Sequence, residues 1–343
     1  MGKSLPPQAI IKFGKWGWNT VWHLMMSNLA PRNSEGEYIR PLSQFRDRIS
    51  PELGHPYPPV AGRYRLYVGL GCPWAHRTLV VRALKGLEEV LPVTVVLPSA
   101  TAGGWVFEQE HQGCRTLAAL YQKAQPDYDG RSTVPVLWDH QTQAIVNNES
   151  AEIIVLLNSQ FNEFARHPLV DLYPADLQPE IDQWNDLIYP AVNNGVYRCG
   201  FAQSQPAYNA ACEQLFATLD HLNASLATRR YLCGNQVTLA DVRLFTTLFR
   251  FDVVYYSLFK CNRHRIQDYE HLGAYLVDLY QLPGVAATCD INAVKRDYYG
   301  MLFPLNPGGL IPAGPDLNYL QIEHHRERLS QNRSATEDLG VSV

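Results

Sequence analysis

The run Gly71-Cys72-Pro73-Trp74-Ala75 places a single thiol at the junction of two contrasting patterns. Upstream, Tyr64, Leu66 and Val68 alternate with Arg63, Arg65 and Tyr67, the two-residue period of a half-buried strand. Downstream, Ala75, Leu79, Ala83 and Leu87 recur every four residues, as on one stripe of a helix. Cys72 therefore stands at a helix N-terminus, with Pro73 in the first turn, where a missing N–H costs nothing. Unpaired N–H groups at a helix start favour an anion, so a thiolate there is expected to have a pKa below the usual value of about 8.5. A dithiol redox motif would carry its second cysteine where Ala75 stands. A mixed disulfide on Cys72 must then be released by an external thiol, which points to a small thiol such as glutathione as reducing co-substrate. The plainer alternative is an inert cysteine capping a strand.

Two further segments bear on thiol chemistry. In Thr133-Val134-Pro135-Val136 a proline opens a strand; a cis Val134–Pro135 bond would turn the peptide groups of Val134 toward a peptide bound beside Cys72. In Asn147-Asn148-Glu149-Ser150, leading into an apolar helical run, Ser150 and the first helical N–H groups suit a carboxylate and Glu149 suits an ammonium group. A γ-glutamyl end carries both charges. His76 invites a Cys–His pairing, but its place along the helix puts it beside the cap and not over it, so a structural role is expected.

The elements that must hold these residues divide near positions 160 to 180. Strand-like runs at 63–68, 93–97, 134–138 and 144–146, with helical patterns at 73–89, 115–124 and 150–157, give the β-α-β, α, β-β-α order of a thioredoxin-like fold. Beyond residue 180 helical patterns such as 208–226 and 239–251 take over, and an all-helical second domain is expected. The fold class is thus α/β plus all-α. Its expected divisions are an N-terminal extension over 1–60, a thioredoxin-like domain over 61–165, a helical domain over 175–330 and a flexible tail over 331–343. Thr238 and Asp241 read as a reciprocal helix cap, a folding signal without chemistry. The tail segment from Glu323 to Arg328 reads as a polar helix, with His324 and His325 pointing to different sides and so not forming a metal site.

A length of 343 residues with 46% hydrophobic content suits two cores. The net charge of −4 argues against nucleic acid or an anionic membrane as main partner. Seven cysteines, an odd number without metal-ligand spacing, suggest a reducing, cytoplasmic setting with no metal. Residues 16–30 are fairly apolar but interrupted by Asn19, His23, Ser27 and Asn28, and read as a helix packed on the body, not as a signal peptide or membrane span.

The motifs taken together resemble a known family. Gly62 to Val68, Cys72-Pro73-Trp74-Ala75-His76-Arg77-Thr78-Leu79, Gly104-Trp105-Val106-Phe107, Thr133 to Asp139 and Asn148 to Ile153 are similar to segments of the Xi-class glutathione transferases, the glutathionyl-hydroquinone reductases. The likeness continues through Asn193-Asn194-Gly195-Val196-Tyr197, Arg250-Phe251-Asp252, Phe259-Lys260-Cys261-Asn262 and Asp297-Tyr298-Tyr299, over roughly residues 36 to 320.

This resemblance implies glutathione-dependent reduction of glutathionyl-hydroquinones by a homodimer joined largely through its helical domains. Carried over by motif, Cys72 is the nucleophile and Tyr197 the proton donor and acceptor. Tyr255 and Tyr298 stand near the sulfur and stabilise the thiolate or bind substrate, although Tyr256 adjoins Tyr255 and competes for its place. Trp105, Arg131, Ser132, Thr133, Val134, Glu149 and Ser150 bind glutathione.

Two alternatives remain open: an omega-like thioltransferase or dehydroascorbate reductase, which needs Cys72 but not Tyr197, and a non-enzymatic protein that keeps the fold. The chain departs from the family pattern at Gly71, where Ala or Ser is usual, at Asp297, where His is common, and at Gly300-Met301, where Ser-His is common. These departures bear on the hydroquinone pocket more than on the glutathione site.

Overall fold

The computed structural model describes residues 7–331. Its first half is built on one mixed sheet of β1 (Tyr64–Val68), β2 (Val93–Ser99), β3 (Gly104–His111), β4 (Cys114–Thr116), β5 (Val136–Asp139) and β6 (Ala144–Asn147). The strand order is β4-β3-β2-β1-β5-β6, and β1–β2 is the parallel pair. The remaining neighbours pair antiparallel. Helix α2 (Pro73–Lys85) crosses from β1 to β2 and packs on α4 (Ser150–Ser159), while α3 (Leu117–Ala124) packs on β3, β4 and β6. Burial of both faces explains why Leu66, Val68, Val136 and Leu137 are inaccessible.

The expected strands and helices are present, with a hairpin that the sequence pattern did not reveal. β3 and β4 were not among the expected strands because β3 is mostly exposed; Glu108, Gln109 and Glu110 face solvent and only Phe107 is buried, so the apolar alternation is lost. α2 stops at Lys85 instead of continuing to residue 89. Gly86 takes a left-handed conformation at φ 66°, which ends the helix through bonds to the carbonyls of Ala83 and Arg82.

Past residue 177 the described elements are helical: α5 (Gln178–Ile188), α6 (Gly195–Gly200), α7 (Gln205–Ser225), α8 (Leu239–Arg250), α9 (Glu270–Tyr280) and α10 (Ile291–Met301), with a last short helix, α11 (Arg328–Gln331). α7 begins three residues before the expected start, because Ser204 caps it by accepting from the Ala207 N–H at 3.2 Å. The cap at Thr238 is formed as expected: buried Asp241 accepts from the Thr238 N–H at 2.8 Å. Its other oxygen accepts from Leu232 N at 2.9 Å and the Tyr275 hydroxyl at 2.6 Å, so it ties three segments together.

Two expectations are corrected. Residues 323–327 are not helical. Arg326 instead turns inward and donates to the carbonyls of Leu226, Arg229 and Arg230, and satisfying buried carbonyls outweighs continuing a polar helix. The helix expected to pack on the body, α1 (Pro7–Leu29), does so only at its end. Met26 is buried there and the Trp22 indole donates to the Pro304 carbonyl at 3.1 Å, whereas nothing from Pro7 to Val21 is buried. No helix among the described residues is long and apolar enough to cross a membrane. The tail expected to be flexible lies, beyond Gln331, outside the described residues.

Residues between α1 and β1 are held against the sheet edge. Asp47 N donates to Val146 O at 2.9 Å and Asn148 N to Phe45 O at 3.0 Å. This brings Arg40 and Ser43 to the neighbourhood of α4.

Candidate functional site

The turn after β1 delivers Cys72 to the start of α2. Cys72 is the N-cap residue (φ −76°, ψ 121°), and its carbonyl accepts from the His76 N–H at 3.0 Å. Cys72 is half-buried. It donates to the Val134 carbonyl at 3.6 Å, and the Val134–Pro135 peptide is cis as expected. Burial pushes the thiol pKa up, against the lowering pull of the Ala75 and Trp74 N–H groups and of Arg250 and Arg40. The expected lowering is therefore overturned in direction. The helix-start donors are present, but desolvation and the bond to Val134 favour the neutral thiol.

The turn itself is clamped from the helical half. Arg250, at the end of α8 and 1% exposed, donates to Gly71 O at 2.8 Å and Leu70 O at 3.0 Å. From α10, Asp297 accepts the Gly71 N–H at 3.0 Å. A Cβ added at Gly71 would lie 2.5 Å from both Cβ and Oδ2 of Asp297. The unusual residues at 71 and 297 are thus one contact, in which the carboxylate fills the space a methyl group would need. Replacing Gly71 by Ala is expected to cost about 1–3 kcal/mol through overpacking and to lower turnover by displacing the turn. Urea denaturation and steady-state assays check this. In an Asp297→Gly background, which restores the space, Gly71→Ala is expected to cost less than in the wild type, and an equal cost in both backgrounds would count against the contact.

His76 is fully committed elsewhere. Its Nδ1 accepts from Arg250 at 2.9 Å, so its Nε2–H donates to Thr288 Oγ1 at 2.8 Å. Burial and the Arg250 charge hold its pKa well below the usual range. It remains a neutral spacer, as expected, and no base for Cys72.

Beside the turn stand three linked phenols. The Tyr298 hydroxyl lies 2.6 Å from that of Tyr197 and 3.0 Å from that of Tyr255. Tyr255 is fully buried at the end of a π-helical turn (Phe251–Tyr255), and its hydroxyl is the one bonded to Tyr298. Burial pushes all three pKa values up. The charges of Tyr255 and Cys72 add to the push on Tyr197, and those of Tyr197 and Tyr255 to the push on Tyr298. Three hydroxyl protons serve two mutual bonds, so one donor remains for a thiolate or a substrate oxygen. Tyr197 also stacks on Trp74, with centroids 6.2 Å apart, and the guanidinium groups of Arg40 and Arg77 lie over the Trp74 ring at 4.0 Å and 4.5 Å from its centroid.

A cleft of about 240 Å³ opens alongside, lined by Arg131, Thr133, Val134, Glu149 and Ser150 together with Arg40, Ser43 and Trp74. Five of the residues expected to bind glutathione are therefore brought together. Ser132 does not line the cleft, and Trp105 packs on the turn instead, its ring occupying the space where a Cβ of Gly69 would sit. Glu149, not Ser150, supplies the side-chain cap of α4: one carboxylate oxygen accepts from Ala151 N at 3.1 Å and the other from Ser43 Oγ at 2.9 Å. Sequence reasoning missed Arg40, Ser43 and Arg250. Arg250 carried a signal in its Arg-Phe-Asp motif, whereas Arg40 and Ser43 reach the cleft only through the pairing of the extension with β6.

Residues 71–160 match the family model for the glutathione S-transferase N-terminal domain, and residues 205–277 that for the C-terminal domain. The chain is 44% identical over 313 residues to glutathionyl-hydroquinone reductase YqjG of Escherichia coli (strain K12), covering 87% of this chain and 93% of the relative. It is 45% identical over 297 residues to glutathione S-transferase omega-like 2 of Schizosaccharomyces pombe, covering 82% and 95%. The crystal structure of the glutathione S-transferase Xi from Phanerochaete chrysosporium matches with a TM-score of 0.80 at 43% identity, covering 83% of this chain and 95% of that one.

Proposed function

Since the chain belongs to the Xi-class glutathione transferases, the family of the glutathionyl-hydroquinone reductases, we propose that it reduces glutathionyl-hydroquinones through a Cys72–glutathione mixed disulfide. The observation that carries this reading is the convergence of a lone, half-buried thiol with the linked phenols of Tyr197, Tyr298 and Tyr255.

Thiolate attack on a sulfur attached to an aromatic ring would expel an aryl carbanion, a poor leaving group. A proton shift from oxygen to the sulfur-bearing carbon first makes a ketone tautomer. The Cys72 thiolate then attacks the glutathione sulfur, the S–S bond forms, the carbon–sulfur bond breaks, and the electron pair leaves as an enolate that is protonated to hydroquinone. A second glutathione thiolate attacks the mixed disulfide, releasing glutathione disulfide and Cys72. The substrate carbon is reduced and two glutathione sulfurs are oxidised. Tyr197 moves the proton; its raised pKa keeps it a phenol ready to donate, and Tyr298, itself bonded to Tyr255, holds its hydroxyl. The cleft beside Val134 suits the peptide of glutathione. There the Val134 main chain pairs with its backbone and the start of α4 meets its γ-glutamyl end.

A general thioltransferase is the second reading, favoured by the omega-like name of the fission-yeast relative. Disulfide exchange has no carbon to protonate, so it leaves the phenols without work. Turnover of glutathionyl-menadione with excess glutathione, followed by chromatography of free hydroquinone, separates the two. Tyr197→Phe is expected to lose about 100-fold in that reaction while keeping reduction of a glutathione mixed disulfide. Equal effects on both reactions, or no wild-type turnover, would favour the thioltransferase.

A further inference from the structure

Helix α1 presents an apolar stripe that no other described element covers. Ile10, Phe13, Val21 and Leu24 recur at helical spacing along one side and are 56%, 75%, 48% and 66% exposed. The opposite side carries Gln8, Lys12, Lys15, Asn19 and His23 at the same spacing. Trp16 and Trp18 are also exposed. The helix is pinned at its C-terminal end by Met26 and Trp22 and projects from there.

Charge says what this surface fits. The chain has no Asp or Glu before Glu35, and four cations, Lys3, Lys12, Lys15 and Arg32, lie in that stretch. The overall charge of −4 is therefore +4 up to residue 34 and −8 beyond it. The average hides a local reversal of sign, and with it a basic, aromatic, amphipathic element in α1. A helix with apolar side chains on one face, lysines on the other and tryptophans at the boundary is built to lie in the plane of an interface.

We propose that α1 docks on an anionic bilayer surface, with Ile10, Phe13, Val21 and Leu24 at the acyl boundary and Lys12 and Lys15 among the headgroups. The acidic remainder is repelled by such a surface, so contact is confined to this helix and the rest of the protein stays in water. This assignment stands on the helix itself and holds whichever thiol reaction the protein performs.

The test is co-sedimentation of the full-length protein with vesicles of phosphatidylcholine alone or mixed with phosphatidylglycerol. Binding is expected only with the anionic lipid and is expected to weaken with salt. The double variant Phe13→Asp/Leu24→Asp should abolish it, and Lys12→Glu/Lys15→Glu should weaken it by about tenfold or more. Neither should change the thermal melting curve, because these side chains touch no core. Failure to bind anionic vesicles, or binding unaffected by both variants, overturns the proposal. So does a fall in the solution mass of the Phe13→Asp/Leu24→Asp protein without vesicles, which would show that a second copy covers the stripe.

Discussion

Hydroquinone release from glutathionyl-menadione by Cys72→Ser protein is expected to fall on the order of a thousandfold or more, with the fold unchanged. The thiol donates to the Val134 carbonyl, and a serine hydroxyl makes the same bond. What serine lacks is the sulfur–sulfur bond on which the proposed cycle turns. Intact-mass spectra should show a glutathione adduct on the wild type after reaction with substrate in the absence of free glutathione, and none on the variant. Because burial pushes the thiol pKa up, its anionic fraction is small at neutral pH. Alkylation of Cys72 by iodoacetamide is accordingly expected to accelerate through the alkaline range, beyond the usual thiol value of about 8.5. Turnover retained by Cys72→Ser would remove the mixed disulfide from the cycle.

Arg250→Met is the second large expectation. This guanidinium is buried and donates to the carbonyls of Leu70, Gly71 and Thr246 and to the ring nitrogen of His76. Methionine fills much of the volume but leaves those acceptors without donors in a dry site. Each buried unsatisfied group costs roughly 1–3 kcal/mol. Relief from burying a charge offsets part of that, so a net loss of about 3 kcal/mol is expected. The turn that carries Cys72 loses two of its anchors at once, and turnover of the folded fraction should fall at least tenfold. Urea midpoints and assays below the transition measure both effects. Arg250→Lys is expected to rescue little, since one ammonium lacks the fork that reaches two adjacent carbonyls. An unchanged midpoint would show that the turn holds itself.

These expectations differ in where they were visible. Cys72, its place before Pro73, the strand ahead of it and the helix behind it are short-range features, written in two periodicities that meet at one residue. The same locality made the Thr238–Asp241 cap readable and left the β3–β4 hairpin obscure, because an exposed edge strand needs no apolar alternation. Tyr197 and Tyr298 entered through motif likeness; nothing in their local pattern distinguished them among 19 tyrosines.

By itself, then, the sequence determined the order of elements, the thiol at a helix start and the absence of a second cysteine in its motif. The tertiary structure decided that Tyr255 and not Tyr256 joins the phenol chain. It decided that Asp297 fills the space left at Gly71, that Arg40 and Ser43 rim the cleft, and that desolvation outweighs the helix start at Cys72. Each of those outcomes depends on groups tens to hundreds of residues apart, and on burial, which is a property of the assembled packing and of no local pattern.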